Sequence, residues 1–596
     1  MVKDFFRSRT GVLWLGMFAS LLYFVIVWSL GSTFRGMSNW VLYPINLMAA
    51  GVLTLPYMLS RRVWVQIVVM VAVQLLLIAN LMYYRTYFTA IPLGSYALVG
   101  NVAEFTASIR DSLRALDFGF PLITILTAWR ALQAPAKPCG ARTWAVLGVG
   151  TGVCALAASV GVACKGGFMT EVGRISQSTF SSPTVVPVYT VAGNLIYQSM
   201  LKPTVLTDEM AAQVADWRRG KDEIMPYVAL PDSVERRRSL VIVLCESLES
   251  WVIDAEIGGQ AITPYLNRLV ADSTTFYAPY VVTQVGAGRS IEAQLLIFAG
   301  LLPMQNSIYS MNHADSAYPT LNKAMRQRYG TESYLLSVDK QTTWNQVGVS
   351  RAFAYDSLLE YSAWSHHELI GRPPRPSDRS FFSQSADKLA NSGLWPIGES
   401  RLITMVTYSG HNPFVLPDKF RDPSFDGALA DCPPRMADYV RMAHYTDSAL
   451  PEIIEYLKSR PDYKDMIVLI TGDHEGLASD RSAILRSPAG SAIVSPGQYT
   501  PLIILNSPIP GRYDEVLGQV DIYPTLLNLL GLHDYPWKGQ GNSVFSPHKP
   551  PFAIVTMTGE IVGDTTALAP EVLPLVRAAR QASDTMITFD LLQDEE

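Results

Sequence analysis

The sequence predicts an α/β protein in two parts: an N-terminal bundle of about five transmembrane helices, then a soluble α/β domain with a mostly parallel central sheet. Three observations carry this. The 596-residue chain exceeds one ordinary domain and has 49% hydrophobic but only 17% charged residues, against roughly 25% charged in an average soluble protein. The charge deficit lies before residue 165. From residue 239 onward, short apolar runs of strand length alternate with helical patterns, as expected for strands covered on both faces by crossover helices. A net charge of −5 and a pI near 6.0 leave no electrostatic footprint for nucleic acid.

Runs long enough to cross a bilayer, about 20 residues, lie at 12–31, 40–59, 63–83 and 143–164, with a shorter, weaker one at 117–134. A cleaved signal peptide explains one such run, not a series. With the N-terminus inside, inner segments carry Lys3, Arg7, Arg9, Arg61, Arg62, Arg130, Lys137 and Arg142, and outer ones Arg35, Arg85, Arg110 and Arg114. This bias favours that orientation, and five spans then put everything after Cys164 outside the cytoplasm. The expected division is 1–164 transmembrane, 165–237 connector and 238–596 extracytoplasmic catalytic domain. The connector opens on Lys165-Gly166-Gly167, runs through Ser/Thr/Pro-rich 176–187, and has an interfacial helix expected around Val191–Met200. Cys139, Cys154, Cys164, Cys245 and Cys432 show neither metal spacing nor a disulfide framework.

In the soluble part the expected strands are Leu240–Leu244, Ser333–Val338, Leu402–Tyr408, Met466–Thr471 and Pro501–Leu505. The expected helices cover about 263–273, 291–302, 318–329, 439–459 and 521–532. Open α/β sheets bind ligands beyond the carboxyl ends of their strands, so the residues following each run are the ones to inspect. The first run is followed by Glu246, the third by His411 and the fourth by Asp473 and His474. Two carboxylates and an imidazole suit Mn²⁺ or Zn²⁺ better than Ca²⁺, with Mg²⁺ as a further alternative.

A fourth group is Ser290, in the stretch QVGAGRSIEAQ (284–294) at the start of a helical pattern. Serine there is either an N-cap or a hydroxyl whose pKa a metal lowers until it is a nucleophile. Gly286 and Gly288 would let the backbone approach a substrate, and Arg289 would clamp an anionic oxygen.

Beyond these groups, the blocks Val241–Trp251, Ile262–Asn267, Gly288–Gln294, Thr343–Asn345, Gly410–Phe414, Gly472–Gly476 and Gln519–Thr525 together resemble lipoteichoic acid synthases and their phosphoglycerol-transferase relatives. These are membrane members of the alkaline phosphatase/sulfatase superfamily. The resemblance implies a sulfatase-like domain in the bacterial cytoplasmic membrane's outer space, and one divalent metal, Mn²⁺ in the synthases, on Glu246, Ser290, Asp473 and His474. It implies Ser290 as nucleophile where the family has threonine, His411 as a substrate-contacting catalytic group, and Trp344 lining the phosphate pocket. The donor would be a membrane phospholipid and the acceptor a glycan or lipid. Two family basic residues are Ser337 and Gln346 here, which leaves the head group open. A phosphodiesterase or sulfuric ester hydrolase using the same site is the alternative, although Ser290-Ile-Glu-Ala-Gln lacks the formylglycine sulfatase signature. A non-catalytic membrane sensor or assembly protein is the third reading.

Overall fold

A computed structural model describes residues 2–31, 36–87, 90–91, 93, 96, 113–135, 140–171, 185–200, 205–305, 307–341, 343–371, 373–566 and 568–592. Arg35, Arg110, Lys137, Cys139 and the stretch 176–184 lie outside them. The chain divides into two compact units, with the break in the connector between Thr204 and Val205.

Among the described residues of the N-terminal unit, five helices are long and apolar enough to cross a membrane: Arg9–Leu30, Leu42–Ser60, Val63–Arg85, Ala115–Gln133 and Ala141–Ala163. Lipid supplies no hydrophobic drive between helices, so small residues and buried hydrogen bonds decide their packing. Gly16 sits against Thr127 and Gly51 against Thr151, each so closely that a Cβ would clash. Gln74 Nε2 donates to Ser20 Oγ (2.8 Å), and Thr124 Oγ1 donates to Gln74 Oε1 (2.8 Å). That chain of bonds ties together the first, third and fourth spans. It gives the weakest apolar run a polar reason to sit among the others, and Arg85 adds a two-bond pair with Asp117 (2.6 and 2.8 Å) at its start. Leu75, Ile125, Leu132 and Leu156 stand exposed, the faces expected against lipid.

The segment read as a connector is shared between the units. Val185–Met200 is helical, and its Val185, Val186, Val188 and Val191 join the core of the N-terminal unit. The helix Asp208–Ile224, capped by Thr207 Oγ1 accepting from Met210 N (3.2 Å), belongs to the second unit. There Trp217 Nε1 donates to the carbonyl of Leu575 (3.1 Å) on the helix Val572–Thr588.

The second unit is built on a sheet whose main strands are β1 (Ser239–Cys245), β2 (Phe276–Val282), β3 (Glu332–Ser337), β4 (Ser357–Leu359), β5 (Arg401–Val406), β6 (Met466–Gly472) and β7 (Tyr499–Leu505). Their spatial order is β2-β7-β6-β1-β5-β3-β4. From β6 to β4 all pairings are parallel; β7 runs antiparallel to β6 and to β2. Every residue of β1 is buried. Leu240, Ile242 and Leu244 enter one core, while Val241, Val243 and Cys245 enter the other. That is the alternation of a strand covered on both faces.

Strand β2 is not among the expected strands; Pro279 lies inside FYAPYVV, and proline is unfavourable in a paired strand. The structure reconciles the two: the β2–β7 register shifts where Pro279 and Pro501 would otherwise have to donate. The helix expected over 439–459 is two helices, Pro434–Ala449 and Pro451–Ser459. Pro451 has no N–H to continue the first and starts the second at its N1 position.

Candidate active site

The register of the two central strands builds the site. Cys245 lies opposite Gly472, so Glu246 and Asp473 leave neighbouring strands side by side. Their turns interlock closely: a Cβ on Gly472 would meet the Leu248 carbonyl at 2.0 Å, and one on Gly410 the Glu246 carbonyl at 2.0 Å. Ser247 takes φ 58°, an uncommon conformation for a non-glycine residue. It is held there by its N–H donating to Asp473 Oδ1 (2.7 Å) and its hydroxyl donating to Glu246 Oε1 (2.8 Å). Glu249, whose role the sequence did not reveal, fastens the neighbouring loop. Its carboxylate accepts from the N–H groups of Gly476 (2.7 Å) and Leu477 (2.9 Å), from Trp251 Nε1 (2.9 Å) and from Arg481.

Ser290 is the first residue of the helix Ser290–Ala299, and no side chain caps that helix. Its hydroxyl instead donates to Glu246 Oε2 (3.2 Å) and lies 3.4 Å from His474 Nε2. The geometry therefore disfavours the cap reading and sets the oxygen beside the candidate metal ligands. Glu246, Asp473 and His474, all buried, have ligand atoms within 4.8 Å of one another. His474 Nε2 is 3.4 Å from Glu246 Oε1 and 3.6 Å from Asp473 Oδ2.

The donor set fits a divalent ion on two grounds. Burial and the adjacent Asp473 charge push the Glu246 carboxyl well above its usual range, a mismatch that a cation resolves. Asp473 Oδ2 is buried without a hydrogen-bond partner, which is costly for a carboxylate unless a ligand occupies it. On His474, Nδ1 lies 2.9 Å from the Glu475 carbonyl. With the proton assigned there, Nε2 presents a lone pair to the carboxylates and Ser290, the usual outer-atom arrangement of a metal-binding histidine.

Arg289 is not placed as the expected anion clamp. Its guanidinium donates to Glu475 Oε1 (2.6 Å) and to the Glu475 carbonyl (2.9 Å); its Nη2 also lies 3.0 Å from His474 Nδ1, a contact and not a hydrogen bond when the proton sits on Nδ1. Arg289 takes φ 51°, and this pairing is what holds the uncommon backbone in place just before Ser290. Gly286 and Gly288 likewise serve the fold: they close around Glu292, whose Oε2 accepts from Gly286 N (2.6 Å).

His411 lies on the loop pressed against Glu246. Its ring stacks on Tyr408 (5.1 Å, 17°), and Nδ1 lies 2.7 Å from the Asn412 carbonyl. Desolvation pushes its pKa down, so the neutral ring with Nδ1–H bonded leaves Nε2 as an acceptor. Trp344, half-buried at φ 51°, precedes Gln346, whose amide exchanges two hydrogen bonds with Gln294 on the Ser290 helix (3.0 Å each). That pair occupies the place of one expected basic residue. At the other, Asp339 N donates to Ser337 Oγ (3.2 Å), while Arg375 Nε donates to Asp339 Oδ1 (2.8 Å) and its guanidinium lies over Tyr408 (5.9 Å). Sequence reading missed Arg375, which sits in a two-residue strand with no periodic signal.

Comparison with known proteins agrees with this architecture. Residues 238–532 match the Sulfatase family and residues 2–202 the lipoteichoic acid synthase N-terminal domain. Lipoteichoic acid synthase of Staphylococcus aureus (strain USA300) is 25% identical over 501 residues, 79% of this chain and 73% of that protein. Among solved structures, lipoteichoic acid synthase LtaP from Listeria monocytogenes aligns with 62% of this chain and 98% of its own (TM-score 0.50, 19% identity). The integral membrane lipooligosaccharide phosphoethanolamine transferase A from Neisseria meningitidis aligns with 89% and 97% (TM-score 0.51, 15% identity); both likenesses concern the fold. The chain is thus an enzyme similar in both its parts to the lipoteichoic acid synthases, with an N-terminal region matching their N-terminal domain followed by a Sulfatase domain.

Proposed function

We propose that the enzyme moves a phospholipid-derived phospho-head group, phosphoglycerol or a similar one, to an envelope glycan or lipid hydroxyl through a covalent intermediate on Ser290. The observation that carries this reading is the Ser290 hydroxyl directed at Glu246 and His474 rather than at its own helix. The matched synthase of Staphylococcus aureus, named for lipoteichoic acid, supports transfer rather than hydrolysis. A divalent ion held by Glu246, Ser290, Asp473 and His474, Mn²⁺ first, would lower the pKa of the hydroxyl and stabilise charge on the phosphoryl oxygens.

In the first half-reaction Ser290 Oγ gives up its proton and bonds to the donor phosphorus, the phosphorus–oxygen bond to diacylglycerol breaks, and the proton released by the serine is made good on the departing oxygen. In the second, an acceptor hydroxyl attacks the phosphorus, the bond to Ser290 Oγ breaks and the serine is restored. His411 Nε2 accepts the proton of that incoming hydroxyl, and a proton returned to Ser290 Oγ closes the cycle with His411 neutral again. Trp344 lines the head-group pocket, and Arg289 acts through Glu475 and His474 as a positioning residue. Water in the acceptor's place would make the same site a phosphodiesterase.

Incubating the full-length protein with Mn²⁺ and labelled phosphatidylglycerol or phosphatidylethanolamine tests the donor. Diacylglycerol release from one of them is expected, and release from neither would contradict the reading. His411→Ala is expected to slow turnover by about 10²–10⁴-fold, as for a positioned acid–base group, with metal content unchanged. Metal loss in that variant would instead make His411 a ligand.

Residues 165–596 are read as lying outside the cytoplasm of a bacterial cytoplasmic membrane, where bilayer lipid is at hand. The five candidate spans and the bias of the loop charges support this orientation. A C-terminal reporter that fluoresces only in the cytoplasm is therefore expected to stay dark. A bright fusion would reverse the orientation.

A further inference from the structure

In the second unit, a cavity of about 400 Å³ lies among the helix Asp208–Ile224, residues 317–323, residues 535–539 and Leu592. None of the metal-cluster residues lines it. Its wall carries Arg218, Lys221, Lys323 and Lys538 against one carboxylate, Asp222. The lysine ammonium groups hydrogen bond to backbone carbonyls: Lys221 to Met225, Lys323 to Tyr318, and Lys538 to His533 and Tyr535. None of the three lysines is in an ion pair among the described residues.

Asp222 acts on Lys221 and Lys538 from within the wall, while the other nearby acids are engaged elsewhere. Asp521, which acts on Lys221, is 3.3 Å from Lys549; Asp534, which acts on Lys538, is 3.6 Å from Arg328; Asp590, which acts on Lys323, accepts from Ala317 N (2.8 Å). Elsewhere in this unit, buried arginines meet carboxylates directly, as in Arg289–Glu475, Arg460–Asp462 and Arg481–Glu249. Desolvation pushes all three cavity lysines below the usual lysine range, Lys221 to about 8. Lys221 is buried, Lys323 and Lys538 are half-buried, and four cations set around the single carboxylate of Asp222 are costly to hold together; a bound anion would offset that cost. Aromatic rings complete the wall: the Arg218 guanidinium lies 5.8 Å from the Trp537 ring and Lys538 Nζ 5.3 Å from that of Tyr227.

We propose that this cavity is a second ligand site, which takes a phosphate-bearing polyol or sugar. The lysines donate to the phosphate oxygens, as ammonium groups do in charge-assisted bonds, and the rings of Trp537 and Tyr227 cover the carbon skeleton. The site goes beyond the catalytic reading and does not depend on it.

The test uses the full-length protein carrying Glu246→Gln, which removes the metal site from the measurement. Calorimetry and lysine-labelling mass spectrometry are run with glycerol phosphate, with inorganic phosphate, and in nanodiscs with or without phosphatidylglycerol. Glycerol phosphate or phosphatidylglycerol is expected to protect Lys323 and Lys538 from labelling, the former assigning the site to a soluble ligand and the latter to a lipid head group. Lys323→Gln with Lys538→Gln is expected to weaken binding at least about tenfold, from the loss of charged hydrogen bonds, with an unchanged melting temperature. No protection by any probe, or unchanged affinity in the double variant, would overturn the proposal. Inorganic phosphate binding as tightly as glycerol phosphate would overturn its polyol part.

Discussion

Ser290→Ala is expected to abolish turnover, a loss on the order of 10⁴-fold or more as for removal of a covalent nucleophile, in a protein that still folds. The two possible roles of this serine separate cleanly here. A helix cap would cost on the order of 1 kcal/mol of stability and leave the chemistry intact. In the structure the hydroxyl makes no cap bond, so its removal leaves the helix start unchanged. What is lost is the oxygen 3.2 Å from Glu246 and 3.4 Å from His474. Metal retained by Glu246, Asp473 and His474 is expected to stay largely in place. Ser290→Thr keeps the hydroxyl and is expected to retain measurable activity, whereas Ser290→Cys offers a soft sulfur poorly matched to a hard ion. Steady-state rates and metal content, measured on the same preparations, check all three.

The second large effect concerns the carboxylates. Asp473→Asn or Glu246→Gln is expected to remove most of the bound divalent ion, weakening it by more than the roughly 10–100-fold typical of losing a group that only supports a ligand. In Asp473→Asn the side-chain amide keeps an acceptor for the N–H groups of Ser247 (2.7 Å) and His474 (2.8 Å), which Asp473 Oδ1 now serves, so the turns should persist. The sign for stability reverses with metal. Stripped of metal by chelator, wild type keeps two buried carboxylates side by side, and the charge of Asp473 disfavours that of Glu246. Either variant relieves that repulsion and is expected to melt no lower than chelated wild type. Metal should then raise the melting temperature of wild type far more than that of the variants. Equal metal occupancy in all three proteins would rule out this ligand assignment.

Much of the fold was legible because its signals are local. The spans are continuous apolar runs, and β1 and β6 are unbroken apolar strands whose next residues, Glu246 and Asp473, had to emerge on one edge of a parallel sheet. Less legible were features that depend on partners distant in sequence. Pro279 hid β2, since only the shifted register opposite β7 shows how a proline fits there. Arg289 read as an anion clamp because its partner, Glu475, lies 186 residues away in sequence. Gly286 and Gly288 read as room for a substrate, but the space belongs to Glu292. Arg375 left no trace at all, being placed on Asp339 by a short hairpin rather than by any repeat.

The most direct test of the covalent reading is peptide mass spectrometry of the wild-type protein, quenched soon after mixing with Mn²⁺ and the labelled donor. A phospho-head-group adduct on Ser290, formed at a rate no slower than turnover and discharged on adding acceptor, is the predicted result. Continued turnover with no adduct on Ser290, or with the adduct on another residue, would contradict it.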